Sequence, residues 1–248
     1  MKKLILTLLV IALIVPCSAS ARKRGKRYEV IEVTNGGSIV GTVKASEKIA
    51  DPVAPIVTKK ADEVEFCGKD FKMGKFIISD DLGVKNVVVA VTNAKKGKAM
   101  PTENLELDNV KCQFTPLVGI AYKKAKFIIK NSDPIFHNTS MGLMMKGKRS
   151  TVYNLALPNQ NQVIEKPVKR TGMLDVKCDS HPWMRSYIYA AKNPYVALTG
   201  DGGSFEIKDL PPGSYKVMVW HEGLGQETID VEVKAGEATT LDHTFAKK

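Results

Sequence analysis

The chain has 248 residues, 44% of them hydrophobic, with 37 Lys and Arg against 26 Asp and Glu for a formal charge of +11. Such a length accommodates two modest domains. The basic residues are dispersed rather than interleaved with aromatics, which argues against nucleic acid and leaves an acidic protein or an anionic lipid surface as the natural partner.

Met1-Lys2-Lys3, the apolar run 4–15 and the small residues Ala19 and Ala21 have the three-part form of a secretory signal, too short to span a membrane. Residues 1–21 are therefore read as a signal peptide cleaved after Ala21. Pro16 disfavours Cys17 as a lipid-modified cysteine, and no later stretch is long and apolar enough for a transmembrane helix. Residues 22–35 read as a basic leader whose cluster at 22–27 suits peripheral contact with an anionic membrane. The expected location is beyond the inner membrane, periplasmic or extracellular.

Downstream, short runs rich in Val, Ile, Phe and Tyr alternate with Gly, Asn, Asp and Pro, the pattern of an all-β chain. Strands are predicted at 38–43, 86–92, 126–130, 174–178, 186–190, 204–208 and 214–221. Residues 45–63, with two prolines, read as a surface loop, and 93–98 as a turn. No amphipathic helix of useful length stands out. Asp201-Gly202-Gly203 and Pro211-Pro212-Gly213 supply tight corners between the last strands.

Two segments carry chemistry. Asn131-Ser132-Asp133-Pro134-Ile135-Phe136-His137-Asn138 follows one predicted strand, and Cys178-Asp179-Ser180-His181-Pro182-Trp183-Met184 follows another. They offer one thiolate, two imidazoles and a thioether, the donor set of a blue-copper centre with a weak axial Met. The spacing of Cys178, His181 and Met184 lets one short loop present three donors to one ion, while the second imidazole, His137, comes from a different strand. Zinc makes little use of thioether, and calcium and magnesium require oxygens. Once the signal is removed, Cys67, Cys112 and Cys178 remain, and only a Cys67–Cys112 disulfide leaves Cys178 free as a ligand.

The pattern from Thr199 to Val217, with its Pro-Pro-Gly-x-Tyr stretch, resembles the second half of a carboxypeptidase-regulatory-like, transthyretin-type sandwich, and 37–44 with 86–98 resemble its first half. Residues 103–192 resemble a cupredoxin of the amicyanin/plastocyanin type, on Phe114-Thr115-Pro116, Phe127-Ile128-Ile129-Lys130-Asn131, Pro134-x-x-His137-Asn138 and the 178–185 loop. The fold expected is thus two Greek-key β-sandwiches: a cupredoxin at 103–192 inserted in a discontinuous sandwich at 36–102 and 193–248. The resemblance implies one type 1 copper per chain, bound by His137, Cys178, His181 and Met184. It gives Asn138 an outer-shell role beside Pro182. His181 is expected to be the ligand nearest solvent, with Trp183 and Pro182 beside it in an apolar docking patch; the alternative for Trp183 is a core anchor.

His221 and His243 read as structural, and Met141, Met144 and Met145 as packing for the ligand loop. The Asn138-Thr139-Ser140 sequon reads as fortuitous because a glycan there would obstruct a ligand. No Ser-His-Asp, paired-carboxylate or phosphate-cradling arrangement stands out, so an enzyme is not expected. The leading expectation is an exported single-electron carrier serving an acidic redox protein, such as a c-type cytochrome or a periplasmic dehydrogenase. A copper storage or delivery protein, and a structural sandwich with a vestigial site, are the alternatives.

Overall fold

The computed structural model describes residues 28–58 and 60–246. The expected signal peptide at 1–21 and the basic cluster at 22–27 lie outside the described residues.

The larger sheets form two pairs. The first pair spans residues 105–191. One sheet has four strands in the order Gln162–Pro167, Lys126–Asn131, Leu105–Val110, Gln113–Thr115. The other has five: Lys148–Leu157, His137–Met145, Gly172–Lys177, Arg185–Ala191, Val118–Tyr122. Alternation sets which side chains turn inward: along Lys126–Asn131 the residues Phe127, Ile129 and Asn131 are buried and those between are not. Their core also takes Leu107, Phe114, Met141, Leu174, Val176 and Ile188.

The second pair is built from both flanks of that insert. Val196–Leu198, Val88–Val91, Gly213–His221 and Gly225–Val233 form one sheet. Ser204–Leu210, Gly37–Ala45 and Ala238–Thr240 form the other, with His243–Phe245 also on Gly37–Ala45. Ile39, Val43, Val89, Val91, Ile207, Val217 and Val219 fill the space between. Gly202 and Gly203 adopt φ of 74° and 78°, as the turn requires. A Cβ on Gly203 would also collide with the Val43 carbonyl oxygen.

The unbroken apolar run at 87–91, four valines and Ala90, has a tertiary cause. Val89 and Val91 face their own core, whereas Val88 and Ala90 join Met218 in packing on Val118, Tyr189 and Ala191 of the insert. A strand buried on both faces has no polar side to show. The two sandwiches therefore share an apolar seam.

Two expectations need correction. The stretch 45–63 is not simply a loop: Val53–Pro55 pairs with Asp70–Lys72, and a helix runs from Ala61 to Cys67. Seven residues make under two turns, too short to display a 3.6-residue period. This strap lies on the insert, with Ile56, Cys67 and Phe71 against its core. The leader, for its part, does not extend to residue 35. Glu29–Val30 pairs in parallel with Lys96–Gly97, inside the presumed turn, and the Tyr28 hydroxyl donates to the Lys98 carbonyl.

Candidate metal centre

The strand Gly172–Lys177 runs antiparallel to both His137–Met145 and Arg185–Ala191. Its register sets Ser140 opposite Lys177, so residues 137–138 come alongside Cys178 as the chain leaves the sheet. The loop then turns back tightly, with the Met184 N–H donating to the His181 carbonyl at 2.9 Å. These constraints bring together His137, Cys178 and His181, whose ligating atoms lie within 4.8 Å of one another.

The facing nitrogens are both Nδ1. His137 Nδ1 and His181 Nδ1 are 3.0 Å apart, and His181 Nδ1 is 3.7 Å from Cys178 Sγ. Metal–nitrogen bonds of about 2.0 Å and a metal–sulfur bond of about 2.3 Å reach a common point from donors so spaced. His137 and His181 are fully buried, and Cys178 and Met184 are 2% and 1% exposed. Met184 belongs to the same apolar cluster as Cys178. Cys112, Asp133 and His137 also converge, but the Cys112 sulfur is committed to a disulfide with Cys67.

Electrostatics favour a thiolate here. Burial alone would push the Cys178 thiol up, but hydrogen bonds from His137, His181 and the Asn138 and His181 backbones outweigh it and bring the pKa down to about 6. For His137 burial acts downward, and the Asp133 carboxylate together with Cys178 reverses it, so the imidazole sits above its ordinary value. The depressed thiol offers a soft ion its thiolate donor, and the ion would displace any proton on the His137 imidazole as it binds.

Asn138 bonds to both segments. Its backbone N–H points at Cys178 Sγ at 3.4 Å, and its side-chain oxygen accepts the Asp179 N–H at 2.9 Å. Its amide nitrogen donates to the Asn154 side chain, and the residue is only 9% exposed, so the sequon is buried. Pro182 is exposed.

The docking patch is corrected by the structure. His181 is not the ligand nearest solvent, because Glu63 of the strap lies over its outer edge, with Oε2 3.3 Å from Nε2. Trp183 is 8% exposed; its indole N–H donates to the Cys112 carbonyl at 3.1 Å, and its ring lies 5.0 Å from that of His181. Trp183 is an internal anchor whose polar end has found a partner.

Two carboxylates at the site escaped the sequence reading. Asp133 is buried with Oδ2 2.8 Å from His137 Nε2, while it also accepts the N–H groups of Lys111 and Cys112. Its place four residues before His137, in a turn closing a strand, was the available signal. Glu63 has none, since its contact is tertiary. Of the remaining residues, His221 Nδ1 accepts the N–H groups of Gly223 and Leu224, and His243 packs edge-on against Phe245. The methionines divide: Met141 is core, while Met144 and Met145 are exposed.

Residues 188–246 match the model of the carboxypeptidase regulatory-like domain. No curated protein matches the sequence. Among solved structures, the chain is similar to a purple cupredoxin from Nitrosopumilus maritimus at 19% identity and a TM-score of 0.30, over 35% of this chain and 99% of that one. It is similar to amicyanin from Paracoccus versutus at 16% identity and a TM-score of 0.30, over 42% of this chain and 97% of that one. A copper-containing nitrite reductase from Thermus scotoductus SA-01 aligns at 15% identity and a TM-score of 0.30, over 41% of this chain but only 25% of that chain's own length.

Proposed function

We propose that this chain is an exported type 1 copper protein that carries single electrons between redox partners, with one copper held by His137, Cys178 and His181 and capped weakly by Met184. The observation that carries the reading is the convergence of two Nδ1 atoms and one low-pKa sulfur in a buried pocket of two strands and one loop. When bound, copper supplies one-electron exchange between Cu(I) and Cu(II).

The chain's own residues suit that task in three ways. The donors are fixed before any ion arrives: His137 by Asp133, Cys178 by the Asn138 N–H, and the loop by the Asn138 side chain. Burial excludes water from all four side chains, which favours an unchanging donor set over an open position for substrate. The N–H at the sulfur draws charge from it and thereby sets its donor strength. A carrier rather than an enzyme is the reading these features support.

An N-terminus of signal type and the Cys67–Cys112 disulfide are in keeping with an oxidising compartment, periplasmic or extracellular. The formal charge of +11, less the two contributed by Lys2 and Lys3 of the signal segment, suits an acidic redox protein, of the c-type cytochrome or periplasmic dehydrogenase kind, and the cluster at 22–27 suits anionic lipid. A storage or delivery role is less well supported, because the disulfide-held strap closes the side from which His181 would otherwise be reached. Voltammetry of the copper-loaded protein with excess chelator tests the choice. A carrier gives a reversible one-electron wave and keeps its ion, whereas steady loss of copper to the chelator contradicts it.

A further inference from the structure

Each imidazole of the centre has its metal-facing nitrogen on one side and a carboxylate on the other. Both Nδ1 atoms point inward, at each other and at the Cys178 sulfur. The opposite nitrogens must then carry the proton, and each meets an acid: Asp133 Oδ2 at 2.8 Å from His137 Nε2, Glu63 Oε2 at 3.3 Å from His181 Nε2. The His181 Nε2 atom is buried and completes no hydrogen bond, so the Glu63 carboxylate beside it acts through charge and proximity. The acids come from unrelated parts of the chain, one from the strand-end turn before His137 and one from the strap helix.

Both are buried, Asp133 at 2% and Glu63 at 4% exposed. A buried carboxylate is costly unless its charge is met, and each is met locally. Asp133 accepts two backbone N–H groups, from Lys111 and Cys112. Glu63 accepts the Thr58 hydroxyl and pairs with Lys60 at 2.6 Å. Local neutralisation still leaves each acid's nearest oxygen against a ligand ring. The two are also connected through the disulfide: the Cys112 N–H that donates to Asp133 belongs to the cysteine bonded to Cys67, which ends the helix bearing Glu63.

We infer that Asp133 and Glu63 are paired positioning residues that fix the tautomer of His137 and His181 and, by placing negative charge behind both ligands, bias the centre toward the more highly charged Cu(II). The inference rests on the copper reading above and says in addition which oxidation state this site prefers and which residues set the preference. Outer carboxylates make a ligating imidazole more basic, and their loss typically costs 10–100-fold in metal affinity. A purely structural role for the same acids, as a turn cap and a strap anchor, would weaken the fold without discriminating between oxidation states.

The test uses the full mature chain as wild type, Asp133→Asn, Glu63→Gln, and Asp175→Asn as a control carboxylate paired with Arg149 instead of a ligand. Affinities for Cu(II) and Cu(I) are measured by chelator competition, and the potential by voltammetry. Each ligand-backing variant is expected to lose about 10–100-fold for Cu(II) and less for Cu(I), with the potential rising about 59 mV for every tenfold difference between the two losses. The control should leave the ratio unchanged. Equal losses for both ions, or a potential that stays at the wild-type value in folded Glu63→Gln protein, would overturn the inference while leaving the copper site intact. Glu63→Gln decides alone if Asp133→Asn does not fold, since Glu63 lies outside the sandwich. Failure of the wild type itself to form a thiolate–Cu(II) band overturns both readings together.

Discussion

Cys67 and Cys112 are bonded across 45 residues of sequence, and the bond joins the strap helix to the turn between Leu105–Val110 and Gln113–Thr115. That turn is not incidental to the metal centre. Its Cys112 N–H rests on Asp133, and its Cys112 carbonyl receives Trp183, whose ring lies beside His181. One covalent link therefore holds the cover, the indole and one of the carboxylates in a single arrangement.

Removing the link should cost stability and open the pocket. Closing a loop of this length lowers unfolded-chain entropy by an amount equivalent to about 4 kcal/mol at most. Cys67→Ser/Cys112→Ser is expected to unfold at lower urea, with a loss of about 2–4 kcal/mol. In the metal-free protein its Cys178 should also react faster with a thiol reagent. Wild-type reactivity at Cys178 in the variant would show that the strap stays seated without the bond.

Asn138 offers a separable test of preorganisation. Asn138→Ala removes the acceptor of the Asp179 N–H but keeps the backbone N–H aimed at the sulfur. An orphaned donor at a half-buried position costs about 1–3 kcal/mol. The variant should keep its thiolate–copper absorption, melt at a lower temperature and release copper to a chelator faster. Unchanged release, measured by stopped flow, would remove Asn138 from the set of residues that hold the loop.

A third prediction concerns pH and lies away from the metal. Burial of His221 lowers its pKa from 6.5 to about 4, and burial of Glu222, partly offset by Lys75, raises its pKa from 4.5 to about 7. His221 thus stabilises the fold above its unfolded value and loses that contribution as pH falls toward 4. Glu222 has the opposite sign: its contribution is complete below 4.5 and is lost as pH rises through 7. The two neighbours offset each other over the shared range. Glu222→Gln leaves His221 unopposed, so urea stability of the variant relative to wild type should climb by up to about 3 kcal/mol between pH 4.5 and 7. A difference that stays flat across that interval would mean that Glu222 ionises normally in the folded chain.

What could be read from the sequence was what repeats locally. The strand Lys126–Asn131 announced itself by alternation, and the two-residue spacing between Cys178 and His181 is short enough for one turn to bring both side chains together. The apolar run at 87–91 was legible as a strand, although the second surface burying Val88 and Ala90 was not. What failed depended on distant chain. Trp183 carries no local mark of being covered, because its cover is the Cys112 turn and the strap, far upstream. Glu63 sits in a helix too short to show a period, and its role exists only once the disulfide sets that helix against His181. Asp133 lay within a motif already singled out, yet its type alone does not separate a turn cap from a ligand's partner; here it is both.

The most direct test is to titrate the metal-free mature protein with Cu(II) and follow the visible spectrum, with Cys178→Ser alongside. The account predicts one equivalent of copper, an intense sulfur-to-copper absorption in the wild type, and its complete absence in the variant. Copper uptake without that band, or a band that survives the loss of the Cys178 sulfur, would contradict it.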